Sequence, residues 1–212
     1  KIRGRKRNLL YINEANELFY EDWQQLIFRT DGKVILDYNP SDAFHWIYDR
    51  VIPRDDCDFY QTTYKDNKFL DPTIIAEIER LRDTDDYKKR FAANQARIQR
   101  GLRSLSEAEY IGLEDQYQNV MRNYGLPASY YTRGDMGRQE GFEKFIGGDV
   151  SPVELEDRIQ TAQRRVLNAA PQVRDALTQF YGAEIGNGDI LAYVLDPEKA
   201  IENIKRKVTA AE

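Results

Sequence analysis

The stretch "NLLYINEANEL", residues 8–18, combines an apolar run with an abrupt change to polar side chains. Residues 9–12 predict a short strand buried on both faces, because the run is apolar throughout instead of alternating. Asn13 and Glu14 follow directly, and a packed core has no use for these side chains. The stretch therefore predicts a strand whose carboxyl end opens onto a binding site.

A second stretch, "KVILDYNPSD" at residues 33–42, repeats the arrangement further along the chain. Residues 34–36 predict another buried strand, which ends in Asp37 and Asn39. Helical patterns separate the strands, and this alternation is typical of a parallel sheet, whose strands all end at one edge. We therefore expect Glu14 and Asn39 to lie near each other at that edge.

Further elements of the first ninety residues follow from composition and spacing. "DFYQTTY" at residues 58–64 predicts a third strand of the sheet, because it is rich in aromatic and β-branched residues. Residues 20–29 predict an amphipathic helix, and a second helix begins at Ser41 or Asp42. Pro72 opens a third helix.

From about residue 92 the sequence predicts helices only. A capping box of Ser106 and Glu109 begins a helix that runs to about residue 123, and Ser151 with Pro152 begins the next. Further helices are predicted at about 171–181, 188–195 and 197–210. The predicted domains are thus an α/β unit at 1–91 and an all-α helical module at 105–212, joined by a junction at 92–104.

The composition excludes several classes of protein. One cysteine, Cys57, and one histidine, His45, among 212 residues exclude a disulfide framework and argue against a Cys/His zinc site within the chain. A net charge of −5 argues against a surface that binds nucleic acid throughout. With no apolar stretch of membrane-spanning length, the sequence predicts a soluble intracellular protein. The first residue is not Met, so the sequence leaves open whether a further segment precedes it.

Three stretches in order, "LLYINEANEL", "LIFRTDGKVILDYNPSDAFHWIYDRVI" and "TTYKDNKFLD", resemble the large subunit of a tailed-phage DNA-packaging terminase of the PBSX type. The resemblance covers about residues 1–91 and implies part of a P-loop ATPase core. It implies that Glu14 is the catalytic glutamate, while Asn13 stands where many relatives carry the Asp that supports Mg²⁺. Asn39 falls in the coupling motif, and Asp37 belongs to the same nucleotide-sensing segment.

The same resemblance implies cofactors and partners. The complete family enzyme uses ATP and Mg²⁺, and it works with phage DNA, a portal and a small terminase subunit in the host cytoplasm. The family's glycine-rich loop with Lys and Ser or Thr is absent from this sequence, since Gly32 and Lys33 lack the rest of it. The nuclease half is absent as well. We therefore expect no tight binding of ATP or Mg²⁺, no metal-binding residues, and no activity of this chain alone.

Alternatives remain open at several positions. Asp37 and Asn16 also suit polar turns, and Arg29 either reaches phosphate or simply ends a helix in solvent. The helical half resembles, through "GLPASYY", "FIGGDVSPVELEDRI" and "ILAYVLDPEKA", uncharacterised structural proteins of actinobacterial phages. The alternative function is a non-enzymatic virion or assembly protein, which acts through helical oligomerisation and associates with the virion.

Overall fold

The computed structural model describes residues 6–131, 141–181 and 186–195. In chain order, its strands and α-helices are β1 (Arg7–Ile12), α1 (Tyr20–Ile27), β2 (Thr30–Leu36), α2 (Trp46–Arg50), α3 (Pro72–Arg82), α4 (Asp85–Arg90), α5 (Ala93–Gln99), α6 (Glu107–Asn123), α7 (Phe142–Gly147), α8 (Pro152–Tyr181) and α9 (Asn187–Leu195). They fall into two compact units: residues up to 83 together with 105–109, and residues 84–104 together with those from 110 onward.

The first unit is built on a parallel pair of strands. β1 and β2 pair with Leu10 opposite Val34 and Ile12 opposite Leu36, and α1 connects them. The parallel arrangement predicted from the alternating pattern is confirmed. One face of the pair packs on a small core whose buried members are Ala15, Trp23, Ile47 and Val51.

Gly32 has a packing role within β2. The strand register shifts between Arg7 and Leu9, and a Cβ built at Gly32 would lie 1.9 Å from the Asn8 carbonyl oxygen. Real Cβ atoms do not approach a backbone oxygen so closely, so only glycine fits at this point of the sheet. The close contact between the strands therefore accounts for Gly32, and no phosphate-binding loop is needed to explain it.

Two expectations about the sheet are wrong. Residues 57–63 form no regular secondary structure, and Phe59 and Tyr60 are 50% and 84% exposed. Strand formation depends on pairing and packing more than on composition, and exposed aromatic side chains gain neither here. The strands are also not buried on both faces, because Leu9, Tyr11 and Ile35 on the outer face are 59%, 57% and 44% exposed.

The second helix begins later than predicted. α2 starts at Trp46 instead of near residue 42, because the Asp42 carboxylate accepts the Phe44 N–H at 3.0 Å and forms a local turn. His45 caps the helix instead. The start of α3 at Pro72 is confirmed, with the Asp71 side chain accepting the Thr73 N–H at 2.7 Å.

The helix signals of the second half are largely confirmed. Ser106 and Glu109 form the predicted capping box, and α6 ends at Asn123. Ser151 accepts the Glu154 N–H at 3.0 Å where α8 begins, and α9 lies where a helix was predicted. A separate helix at 171–181 is wrong: α8 continues through Pro171, which has no N–H to donate. The predicted helix at 197–210 lies outside the described residues.

The second unit has its own core of large side chains. Its largest fully buried apolar and aromatic members on α6, α7 and α8 are Tyr110, Leu113, Tyr117, Phe142, Ile146, Leu155 and Ile159. Burial raises the pKa of the Tyr110 hydroxyl to about 12, because the ionised phenolate would be poorly solvated. The Tyr117 hydroxyl is directed to the Val150 carbonyl, to which it donates.

Residues 84–104 are packed within this second unit. The Arg90 guanidinium donates to Glu114 on α6 at 2.7 Å, and the Phe91 and Tyr110 rings lie 5.2 Å apart. Arg97, which is 4% exposed, donates to the Ile146 carbonyl at 3.0 Å and to Asp149 at 2.6 Å. The division into 1–91, 92–104 and 105–212 stays a prediction, and these contacts provide a way to test it.

Candidate functional site

The carboxyl ends of β1 and β2 meet at one edge of the sheet. The Asp37 N–H donates to the Ile12 carbonyl at 3.0 Å, and the Ala15 N–H donates to the Asp37 carbonyl at 2.9 Å. Backbone hydrogen bonds between the two segments thus continue past the end of each strand. They bring the turn containing Asn13 and Glu14 beside Asp37, and Asn39 follows Asp37 by two residues in the chain.

The Asp37 carboxylate fixes this edge through two hydrogen bonds. Its Oδ1 atom accepts the Glu14 backbone N–H at 3.2 Å, and its Oδ2 atom accepts the Tyr11 hydroxyl at 2.8 Å. The bond to Asp37 raises the pKa of Tyr11, because the neutral phenol donates to a carboxylate that would repel a phenolate. Tyr11 was missed from sequence, since nothing in an apolar strand marks one tyrosine as a hydrogen-bond donor.

Glu14 adopts a backbone conformation that is uncommon for its residue type. Its φ of 52° and ψ of 50° lie in the left-handed region, and its side chain is half-buried. Non-glycine residues held there cost of order 1–3 kcal/mol and cluster at functional sites. The half-buried carboxylate of Glu14 therefore belongs to the residue of this edge that has the most strained backbone.

Asn13, which precedes Glu14, and Asn39, two residues after Asp37, are both exposed. Both carry neutral amides, which are weaker ligands for Mg²⁺ than carboxylates. Arg29 lies elsewhere: it precedes β2, so the length of the strand, about 20 Å, separates its backbone from Asp37. Of the two alternatives left open for Arg29, its position fits the solvent-exposed arginine at the end of a helix, because it is exposed two residues after α1.

The segment that carries Asn39 is held by residues that sequence reasoning assigned only to a helix cap. The Ser106 hydroxyl donates to the Pro40 carbonyl at 3.1 Å, and Tyr48 donates to Glu109 at 3.1 Å. Glu109 is 1% exposed. The capping box was visible in the sequence, but its contacts to a segment more than sixty residues earlier carry no local signal.

A comparison with protein families identifies the region that contains this edge. Residues 5–94 match the family of the phage terminase large subunit. The recognition made from the ordered motifs is confirmed, over nearly the same residues. The terminase region contains both strands and all four residues of the predicted site. No curated protein and no solved structure gives a significant match.

Two features of the described residues concern metal binding and membranes. No group of three or more His, Cys, Asp or Glu side chains there is arranged to hold a metal ion. Within the same ranges, no helix combines the length and the apolar character that crossing a bilayer requires.

Proposed function

We propose that residues 5–94 form the acidic edge of a phage DNA-packaging ATPase, with Glu14 as the catalytic carboxylate. One observation carries the proposal: within a region that matches the terminase large subunit, two parallel strands end side by side in Glu14 and Asp37. In α/β proteins, ligands bind outside the carboxyl ends of parallel strands.

The chemistry proposed for Glu14 is general-base catalysis. A water molecule attacks the γ-phosphorus of ATP, its proton passes to the Glu14 carboxylate, and ADP leaves with the electron pair of the broken P–O bond. Asp37 contributes by holding the Glu14 backbone at 3.2 Å, which fixes the starting point of the side chain. Asn39 is proposed to respond to the γ-phosphate from the neighbouring strand end.

The binding of ATP and Mg²⁺ is proposed to need groups beyond this edge. The acidic side chains of the described residues include no group arranged to hold a metal ion, and Asn13 offers an amide in place of a carboxylate. The 212-residue sequence has no glycine-rich loop with Lys and Ser or Thr. We therefore propose that phosphate-binding groups come from another polypeptide or segment, and that this chain alone does not hydrolyse ATP.

The helical half is proposed to be a phage structural module joined to the terminase region. Its separate core, built on α6, α7 and α8, supports a unit with a role of its own. Phage DNA, a portal or a small terminase subunit are the partners proposed for the terminase region, in the host cytoplasm.

The test compares the chain with Glu14→Gln and with the matched control Glu17→Gln, an exposed carboxylate three residues away. Phosphate release is measured for each chain alone and after addition of a polypeptide that carries the missing loop, identified by reading the encoding DNA upstream. We expect no turnover alone, and turnover with the added polypeptide that Glu14→Gln abolishes and Glu17→Gln keeps. Turnover that persists in Glu14→Gln would refute the role of Glu14, and helix-driven oligomers without nucleotide binding would favour the virion-protein alternative.

A further inference from the structure

The left-handed turn at Glu14 requires support from outside its own segment. A φ of 52° is unfavourable for a residue with a Cβ, so neighbouring groups must hold it. A short 3₁₀ turn, Ala15–Glu17, follows directly, and it is too short to be stable by itself. The hydrogen bonds of this turn to other segments therefore determine where Glu14 is placed.

Two adjacent side chains supply bonds to the backbone of this turn. The His45 Nε2 atom lies 3.1 Å from the Asn16 carbonyl oxygen, and the Trp46 indole N–H donates to the Leu18 carbonyl at 2.9 Å. His45 ends the segment between β2 and α2 that also carries Asn39, and Trp46 is the first residue of α2. The two polar strand ends are thus joined a second time, beyond the contact through Asp37.

The bonds of His45 define its chemical form. Its Nδ1 atom accepts the Ile47 N–H at 3.3 Å and caps α2, so Nδ1 carries no proton. A carbonyl oxygen can only accept, so Nε2 must carry the proton and donate to Asn16. One neutral imidazole therefore connects the start of α2 to the turn that follows Glu14.

Trp46 is anchored on its other side by aromatic packing against α1. Its ring lies 5.5 Å from the Trp23 ring in a stacked arrangement, and 5.8 Å from the Tyr20 ring. Trp23 is 5% exposed and belongs to the core of the first unit. The indole N–H that holds Leu18 is consequently attached to the core of that unit.

We infer that His45 and Trp46 are positioning residues that hold the Glu14 turn against the Asn39 segment, so that the two strand ends move as one body. The relevance to ATP chemistry rests on the proposed function, whereas the mechanical link does not. A histidine that merely caps α2 would leave the Glu14 turn unaffected when its Nε2 bond is lost.

Two substitutions separate the two bonds of His45. His45→Asn keeps an acceptor near the Nδ1 position, so it can still cap α2, but its side chain is too short to reach the Asn16 carbonyl. His45→Gln keeps a donor near the Nε2 position for the Asn16 carbonyl, but it loses the acceptor that caps α2. Trp46→Phe retains an aromatic ring without the N–H that binds Leu18. Amide hydrogen exchange is measured by NMR on the full chain, without nucleotide.

The amides of Ala15, Glu17 and Leu18, each bonded within this edge, report on the turn. We expect His45→Asn and Trp46→Phe to speed their exchange about fivefold, as loss of one hydrogen bond predicts, with the amides of α6 unchanged. His45→Gln should retain slow exchange at the turn and instead speed exchange of the Val51 and Ile52 amides, which donate to the Ile47 carbonyl of α2.

Unchanged exchange of the turn amides in both His45→Asn and Trp46→Phe would overturn the inference. Equal effects of His45→Asn and His45→Gln on the turn would also overturn it, because the cap and not the Nε2 bond would then be responsible. Since no nucleotide is present, either result is independent of whether Glu14 proves catalytic in the phosphate-release assay.

Discussion

Asp37 accepts the backbone N–H of Glu14 at 3.2 Å, so a carboxylate at the end of β2 fixes the turn at the end of β1. The two residues are 23 positions apart and meet because their strands are parallel neighbours. The same carboxylate also binds the Tyr11 hydroxyl at 2.8 Å. Substitutions at this edge should therefore have effects on both strands.

The pKa of Tyr11 provides a direct probe of Asp37. The hydrogen bond to Asp37 raises this pKa above its ordinary value near 10, so the bond stabilises the fold below that pH and the stability is lost as pH rises through the folded-state value. Asp37→Asn removes the negative charge and should lower the Tyr11 pKa toward 10. A pH titration of tyrosine ¹³Cζ signals by NMR, assigned with Tyr11→Phe, measures the change. An unaltered Tyr11 pKa in Asp37→Asn would contradict the assignment.

The backbone at Glu14 should prefer glycine over alanine. Only glycine adopts a φ of 52° without a steric cost, so Glu14→Gly should be more stable than Glu14→Ala by about 1 kcal/mol in urea unfolding. Glu17 is the matched control, because it lies in the adjacent 3₁₀ turn without a positive φ. There the order should reverse, with alanine the more stable. The same order at both positions would contradict a left-handed Glu14.

Gly32 should not tolerate even a methyl group. Gly32→Ala would place a Cβ 1.9 Å from the Asn8 carbonyl oxygen and force the strands apart, at a cost above about 2 kcal/mol of unfolding free energy. Gly186→Ala is the control, since its nearest contact would be the Asp189 carboxylate at 3.6 Å. Thermal melts of both variants decide the point. A Gly32→Ala protein as stable as the control would mean that β1 and β2 are spaced differently.

The domain division can be tested with two fragments. Residues 105–212 lack Arg90, and breaking its ion pair with the Glu114 side chain, which is 2% exposed, costs about 3–5 kcal/mol. Residues 84–212 keep this pair and the Phe91–Tyr110 contact. We expect the longer fragment to melt cooperatively at a higher temperature by circular dichroism. Equal melting temperatures would support residues 92–104 as a junction outside the helical domain.

Local signals determined how much of the fold could be predicted. Pro72, Ser106 and Ser151 mark helix starts through bonds that span three residues or fewer, and each start was predicted correctly. The strand at 58–64 was not, because a strand depends on a partner that the local sequence does not specify. α8 also continues through Pro171, and nothing in the described side chains explains why.

At the candidate site, the parallel topology was enough to predict that the segments following β1 and β2 meet, as the Glu14–Asp37 hydrogen bond shows, whereas the proximity of Asn39 to Glu14 stays a prediction. The residues that support the edge were not predictable in the same way. Tyr11, His45 and Glu109 act through hydrogen bonds to positions 26, 29 and 61 residues away, respectively. Such pairs leave no periodic or local pattern in a single sequence.

The outer face of the two-stranded sheet has a practical consequence for the purified protein. Leu9, Tyr11 and Ile35 lie exposed on strands that each have one hydrogen-bonded neighbour among the described residues. Such a surface can add strands from other molecules and begin aggregation. Lys33, which is exposed on β2, places a repelling charge on this surface in every copy. Because salt screens that repulsion, concentrated samples should precipitate more readily at high ionic strength, the opposite of what molecules that associate through ion pairs would do.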